Sequence, residues 1–367
     1  MPEKKKHFAI VLPAGGARAA YQVGVLRYVA DNFPDFKPTI FCGVSAGSIN
    51  SSFLAQGDPF PQAATQLSEL WHKIEFNQVI KTNFRSVFAM SSRWVYDMFL
   101  SKVTHKLRLR SLLDASPLSQ TLLANIHFWK IAKAVRDGIV DGVSVSATNY
   151  HVGTTTVFFD SCQPVTAWQR EQRNSVRTRI RVKHIMASCS IPLLFEPVRI
   201  GDYLYGDGSL RFSFPLSPAI KLGATHLFTI GTRCPNPENA LGFRPDHVGM
   251  GFVAGAVLNS IFLDSLESDY ENLQRLNRSA GAPHRRIHPC IIRPSRDLGA
   301  TAKDFIDDVP FHWRQVLRST ASPDELGDLL SYLMFTKGFV NRLIELGMKD
   351  AEASRDMIRD FINQPVG

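Results

Sequence analysis

The stretch that most constrains this chain is Gly43-Val44-Ser45-Ala46-Gly47. Ahead of it lies Thr39-Ile40-Phe41-Cys42, an apolar and partly β-branched run with the pattern of a buried strand. Behind it, Ser48 to Gln56 has helical character and stops at Gly57, just before Asp58-Pro59. Strand, sharp turn and helix form the context in which G-x-S-x-G presents a nucleophilic serine. Gly43 and Gly47 let the backbone turn tightly and lift the Ser45 Oγ clear of its neighbours, and the helix N-terminus favours developing negative charge. The competing reading is a glycine-rich connection whose serine merely caps the helix.

The same order occurs once more upstream. Phe8 to Leu12 reads as a first strand, Pro13-Ala14-Gly15-Gly16 as a turn, and Ala19 to Ala30 as a helix. Two strands alternating with two helices predict a parallel α/β sheet. In such a sheet both turns fall at the strand C-termini, on one edge. The stretch Ala14-Gly15-Gly16-Ala17-Arg18-Ala19 would then bring backbone N–H groups close to an oxygen at Ser45. Rival glycine-loop readings fit less well. A dinucleotide fingerprint would need glycine where Ala14 and Ala19 stand, and a phosphate loop would need G-K-[ST]. A sugar-nucleotidyltransferase loop would leave the Ser45 elbow unexplained.

A serine hydroxyl needs a base to take its proton. A conventional triad would use histidine, yet none of His226, His247, His284, His288 and His312 sits in a motif that marks it. Asp207 is the stronger candidate. It stands in Gly206-Asp207-Gly208 at the end of a strand–turn–strand run, Val198 to Tyr205. Taken alone, that tripeptide also reads as a plain turn.

In order, Ala14-Gly15-Gly16-Ala17-Arg18-Ala19 with Tyr21-Gln22-Val23-Gly24-Val25-Leu26, Gly43-Val44-Ser45-Ala46-Gly47, Ala187-Ser188-Cys189-Ser190-Ile191-Pro192, and Asp207-Gly208 make the chain resemble the patatin-like phospholipase family, bacterial type. The resemblance covers about residues 8 to 223. It implies a parallel-rich α/β sheet flanked by helices, with a mainly helical C-terminal region. It implies a Ser45–Asp207 dyad acting on acyl esters of lipids through an acyl-enzyme. An oxyanion hole around Gly15, Gly16 and Ala17 is also implied, with Arg18 holding the loop; for Arg18 by itself the alternative is a surface salt bridge. The expected organisation is a catalytic domain over 8–223 and a mainly helical extension over 224–367 packed on it. The chain departs from the family pattern at Ala14 and Ala19, where glycine is usual, and at Ser209, where a second glycine or alanine is usual. None of these removes a reacting atom. A phospholipase A or lysophospholipase is the expected function. An acyltransferase using the same dyad, and a catalytically weak lipid- or membrane-binding protein, are the alternatives.

Composition bounds the rest. With 367 residues, 44% of them hydrophobic and 20% charged, the chain can bury a large core. Cys42, Cys162, Cys189, Cys234 and Cys290 are scattered without C-x-x-C spacing, which argues against a disulfide frame and a zinc site and fits a reducing, cytoplasmic compartment. The dyad requires neither metal nor organic cofactor. After Lys4-Lys5-Lys6, the apolar run Phe8 to Leu12 is too short for an export signal. A net charge of +9 is densest over Trp168 to Lys183, read as a solvated loop and helix start. Peripheral contact with an anionic membrane, at its inner face, is the functional reading of that charge; no nucleic-acid module accompanies it. Pro59 to Lys133 reads as mostly helical, its aromatics (Trp71, Phe76, Phe84, Phe88, Trp94, Tyr96 and Phe99) as core and lid packing. Val248 to Leu263 reads as a buried helix too short to span a bilayer. From Asp304 onward, the spacing of Leu326, Leu329, Leu330, Leu333, Phe339, Val340, Leu343 and Ile344 predicts packing helices.

Overall fold

Strands β1 (Phe8–Leu12) and β2 (Pro38–Val44) lack polar alternation because both their faces are covered. In this computed structural model, which describes residues 5–81, 113–192, 194–211, 215–235, 256–257, 259–260, 265–278, 286–311, 314–315 and 323–366, they lie side by side and parallel. Helix α1 (Ala19–Asn32) connects them, and α2 (Ala46–Leu54) and α3 (Phe60–His72) follow β2. Helices α4 (Ser116–Asn125) and α5 (Phe128–Arg136) precede β3 (Gly142–Asn149) and β4 (Thr154–Ser161), an antiparallel pair. Then come β5 (Gln169–Arg170), β6 (Arg173–Arg177), α6 (Val182–Ser188), β7 (Val198–Ile200), β8 (Tyr203–Asp207) and β9 (His226–Ile230). The C-terminal region holds α7 (Ser265–Arg278), β10 (His288–Ile292), α8 (Leu298–Lys303), α9 (Pro323–Leu333), α10 (Lys337–Ala353) and α11 (Arg355–Asn363).

All ten strands share one sheet, ordered β10-β9-β1-β2-β3-β4-β6-β5, with the β7–β8 hairpin joined to β3. The run from β10 to β3 is parallel throughout. The fold is therefore the expected parallel-rich sheet flanked by helices, with a mainly helical C-terminal region. Two details differ from the sequence reading. The basic stretch from Trp168 is not all loop: Arg173–Arg177 pairs with β4 and Gln169–Arg170 adds the edge strand beyond it, anchored where Trp168 stacks on Phe159 at 5.0 Å. Within the mainly helical C-terminal region there is also a strand the sequence reading did not name, His288–Ile292, which pairs with β9 and extends the sheet. Its sequence, His-Pro-Cys-Ile-Ile, is short and has a proline as its second residue, a weak strand signal tolerated because the strand sits at an edge.

Two details of topology create the site. β2 pairs with β3 only as far as Val44 opposite Ser146. β8 then takes over the same edge of β3, antiparallel, with Asp207 opposite Ala147. The C-terminal ends of β2 and β8 thus meet head-on along β3. Phe84, Phe88, Trp94, Tyr96, Phe99 and nearly all of the Val248–Leu263 stretch lie outside the described residues. Among the described residues no helix is long and apolar enough to cross a membrane.

Candidate active site

Ser45 is the first residue past β2, with φ 51° and ψ −132°, and it is the only non-glycine residue at positive φ among those described. That conformation costs on the order of 1–3 kcal/mol and persists only when its surroundings hold it. Close packing does so here. A Cβ on Gly47 would collide with the Leu12 carbonyl, so glycine lets the first turn of α2 press against the end of β1. Ser48 returns from α2 to cap the elbow: its N–H and Oγ donate to the Ser45 carbonyl at 2.8 and 2.6 Å. Ser45 itself is almost fully buried.

Asp207, the last residue of β8, is completely buried. Its Oδ1 accepts from the Ser209 N–H at 2.9 Å and the Ser209 hydroxyl at 2.7 Å. Its Oδ2 is buried without a well-formed hydrogen bond. The Ser45 hydroxyl interacts with this carboxylate and favours its charged form, short of good hydrogen-bond geometry. Catalytic pairs commonly tighten only once substrate is bound. Burial outweighs the Ser45 and Ser209 contacts and pushes the Asp207 pKa up to about 6. The buried carboxylate in turn pushes Cys189 up, after burial itself, and burial with Asp207 pushes Tyr150 to about 12.

The glycine-rich turn lies beside Ser45. Gly16, at φ 53°, opens a single 3-10 turn over Gly16–Arg18 and has the Tyr332 carbonyl where a Cβ would stand. Gln22 Nε2 donates to the Pro13 carbonyl at 2.8 Å, and Thr232 Oγ1 to that of Ala14 at 2.9 Å. Arg18 is not a surface ion pair. Its side chain is 3% exposed, and Nε and Nη2 donate to Ser331 Oγ at 2.7 Å and Asp328 Oδ1 at 2.9 Å. The guanidinium also lies 4.2 Å from the Tyr332 ring centroid. The residues expected at the site are thus brought together: Ser45 and Asp207 by the strand ends, Gly15, Gly16, Ala17 and Arg18 on the adjoining turn, and Gly43 and Gly47 within the elbow.

The histidines named from sequence lie elsewhere or outside the description. His226 opens β9 opposite Phe8, at the sheet edge away from Ser45, where its ring stacks on His288 at 4.8 Å. His247, His284 and His312 lie outside the described residues. Among those described, no group of three or more His, Cys, Asp and Glu side chains is arranged to hold a metal ion.

Ser45 and Gly16 stand in the wall of an apolar cleft, about 730 Å³ with its open mouth, walled by Ile49, Trp71, Leu118, Leu122, Phe195 and Leu333 among others. Sequence reading missed one contribution here. The C-terminal spacing reads as packing alone, yet Tyr332 and Leu333 face this cleft. Their amphipathic period is the same whether the covered face meets a core or a ligand, so no local signal separates the two.

The patatin-like phospholipase family model matches residues 10–220, more than half of the chain, including Ser45, Asp207 and the glycine-rich turn. The chain belongs to the patatin-like phospholipase family. An uncharacterized protein of Acanthamoeba polyphaga mimivirus is 24% identical over 210 residues, 57% of this chain and 60% of the viral protein. VipD from Legionella pneumophila superposes with a TM-score of 0.41 at 12% identity, over 97% of this chain and 68% of VipD. Human GIVD cytosolic phospholipase A2, solved with methyl gamma-linolenyl fluorophosphonate, gives a TM-score of 0.45 at 13% identity over 97% and 58% of the two chains. The chain therefore spans about three fifths of the lengths of the viral relative and the human enzyme. Within the family pattern, Ala14 and Ala19 are both buried, so their methyl groups are part of the packed loop.

Proposed function

We propose that this protein is a lipid acyl hydrolase of the phospholipase A or lysophospholipase type, working through a Ser45–Asp207 dyad. The observation that carries the reading is the meeting of a strained, buried serine with a buried carboxylate oxygen that has no other partner, at the wall of an apolar cleft.

Asp207 Oδ2 takes the Ser45 hydroxyl proton as Oγ bonds to the ester carbonyl carbon. General-base help of this kind is worth roughly 10²–10⁴-fold. The carbonyl π electrons move to oxygen, and the resulting oxyanion faces the Gly15–Gly16–Ala17 turn. A backbone donor there contributes about 2.7–4 kcal/mol to the transition state. Collapse breaks the ester C–O bond, and the leaving alkoxide receives the proton from Asp207. Asp207 then deprotonates a water, which attacks the acyl carbon; the acyl–Oγ bond breaks, Ser45 Oγ takes the proton back from Asp207, and the fatty acid leaves. The apolar cleft holds the acyl chain, whose burial contributes about 0.8 kcal/mol per methylene.

In this reading residues 8–223 carry the reacting groups, and the region from 224 onward supplies part of the cleft wall. The exposed Arg170, Arg177, Arg179, Arg181 and Lys183 offer a basic edge to an anionic lipid surface. The test is labelling by a fluorophosphonate, read by intact mass, together with hydrolysis of short- and long-chain p-nitrophenyl esters. The expected result is one adduct on Ser45 and turnover that Ser45→Ala and Asp207→Asn each abolish while remaining folded. Full turnover in either folded variant would sink the dyad.

A further inference from the structure

One buried segment touches both members of the proposed dyad, and neither the hydrolytic reading nor the sequence pattern gives it a task. Ser188 ends α6 and is completely buried. Its Oγ accepts the Ser45 N–H at 2.8 Å and donates its own proton to the Ser146 carbonyl at 2.6 Å. Two residues on, the Ser190 carbonyl accepts the Asp207 N–H at 2.8 Å. The segment Ser188–Cys189–Ser190 therefore grips the backbone of the nucleophile and the backbone of the base at once.

The topology explains why such a grip is needed. The β2–β3 ladder ends at the pair Val44–Ser146, and the β3–β8 ladder begins at Ala147–Asp207. Ser45 falls in the gap between the two ladders. There its backbone turns to positive φ, and its N–H donates to no strand partner. The Ser188 hydroxyl fills the gap by linking that N–H to the Ser146 carbonyl, so the elbow is tied to β3 through a side chain.

We propose that Ser188 is a positioning residue for Ser45, and that with the Ser190 carbonyl it sets the spacing of Ser45 Oγ from the Asp207 carboxylate. The proposal rests on the dyad reading. The Ser190 side chain is not part of the device: its hydroxyl turns back to the Met186 carbonyl at 2.7 Å. Loss of the Ser188 hydroxyl frees the elbow to shift against Asp207, and misplacement of a reacting group by about 1 Å can cost on the order of 100-fold in rate.

The experiment measures the rate constant of fluorophosphonate labelling across pH 5–9 for the full chain and for Ser188→Ala, Ser188→Cys, Ser188→Thr and Ser190→Ala. A rate constant reports on the folded molecules only, so partial loss of folded protein changes the amplitude and not the readout. The expected order is parent, Ser188→Thr and Ser190→Ala close together, Ser188→Cys slower, and Ser188→Ala slower by about tenfold or more. The rise in rate near pH 6, set by Asp207, should flatten in Ser188→Ala, because the base no longer meets the nucleophile. Tyr150 and Cys189 are the other titratable groups acting near Asp207, and both are pushed upward by burial, Tyr150 to about 12. A folded Ser188→Ala or Ser188→Cys protein with the parent rate and pH profile overturns the proposal. Should Ser188→Ala not fold, the Cys variant decides by the same criterion. Labelling of the parent at a residue other than Ser45, or parent labelling unaffected by Asp207→Asn, instead overturns the dyad reading beneath it.

Discussion

At the scale of single residues, two positions store free energy that folding alone would not retain. Ser45 occupies a conformation suited to glycine. Ser45→Gly should therefore stabilise the protein by about 1 kcal/mol while removing the nucleophile, a gain readable as a higher urea midpoint at unchanged slope. Asp207 carries a cost with a definite pH sign. Its folded pKa of about 6 lies above its ordinary value of 3.8, so the folded state binds the proton more tightly than the unfolded chain does. The contribution is neutral below about pH 4, turns unfavourable between about 4 and 6, and stays constant above, on the order of 3 kcal/mol. Asp207→Asn should raise the melting temperature at pH 8 and have little effect at pH 4. The same ionisation should make parent activity rise through about pH 6, since only the carboxylate accepts a proton. A parent profile flat from pH 5 to 8 would separate Asp207 from the base role.

At the scale of elements, the informative contact joins the glycine-rich turn to α9. Arg18 and Asp328 form one ion pair with unequal ends: the arginine is 3% exposed and the aspartate 38%. Removing the buried end strips Ser331 and Tyr332 of a charged partner as well. We expect Arg18→Ala to cost about 2 kcal/mol, and Asp328→Ala less than about 1 kcal/mol because solvent screens it. Chemical denaturation of the two variants checks the asymmetry; equal losses would mean that the exposed carboxylate carries the contact. Sequence could name Arg18 but not its partners, which are more than 300 positions away. Spacing and turn residues made the β1–α1 and β2–α2 units legible because each is closed within about 25 residues of chain. Strands β5, β6 and β10, at or next to the sheet edges, are short, polar or proline-bearing, and only their neighbours make them strands.

For the molecule as a whole, the cleft is a joint product of distant segments: α2 and α3 from the first quarter, α4, the Cys189–Phe195 stretch, and the end of α9. Its apolar walls predict selection by acyl-chain length. Leu122 is buried in that wall, and Leu122→Trp should fill space a long chain would use. We expect kcat/KM for a long-chain p-nitrophenyl ester to fall about tenfold or more relative to the butyrate ester, since displacing two methylenes at about 0.8 kcal/mol each already exceeds a factor of about ten. An unchanged ratio would place the acyl chain elsewhere.

The sequence by itself determined the strand–elbow–helix around Ser45, the parallel pairing of β1 and β2, and Asp207 as the residue to watch. Each follows from apolar runs, glycine placement and turn chemistry within a short window. Tertiary structure alone decided what those residues meet. β2 and β8 end against each other on one edge of β3, and this brings Asp207 to Ser45. Ser188 reaches into the gap they leave, and α9 closes over Arg18 and Gly16. Packing between segments far apart in the chain sets these contacts, and such packing leaves no local period in the residues that make it.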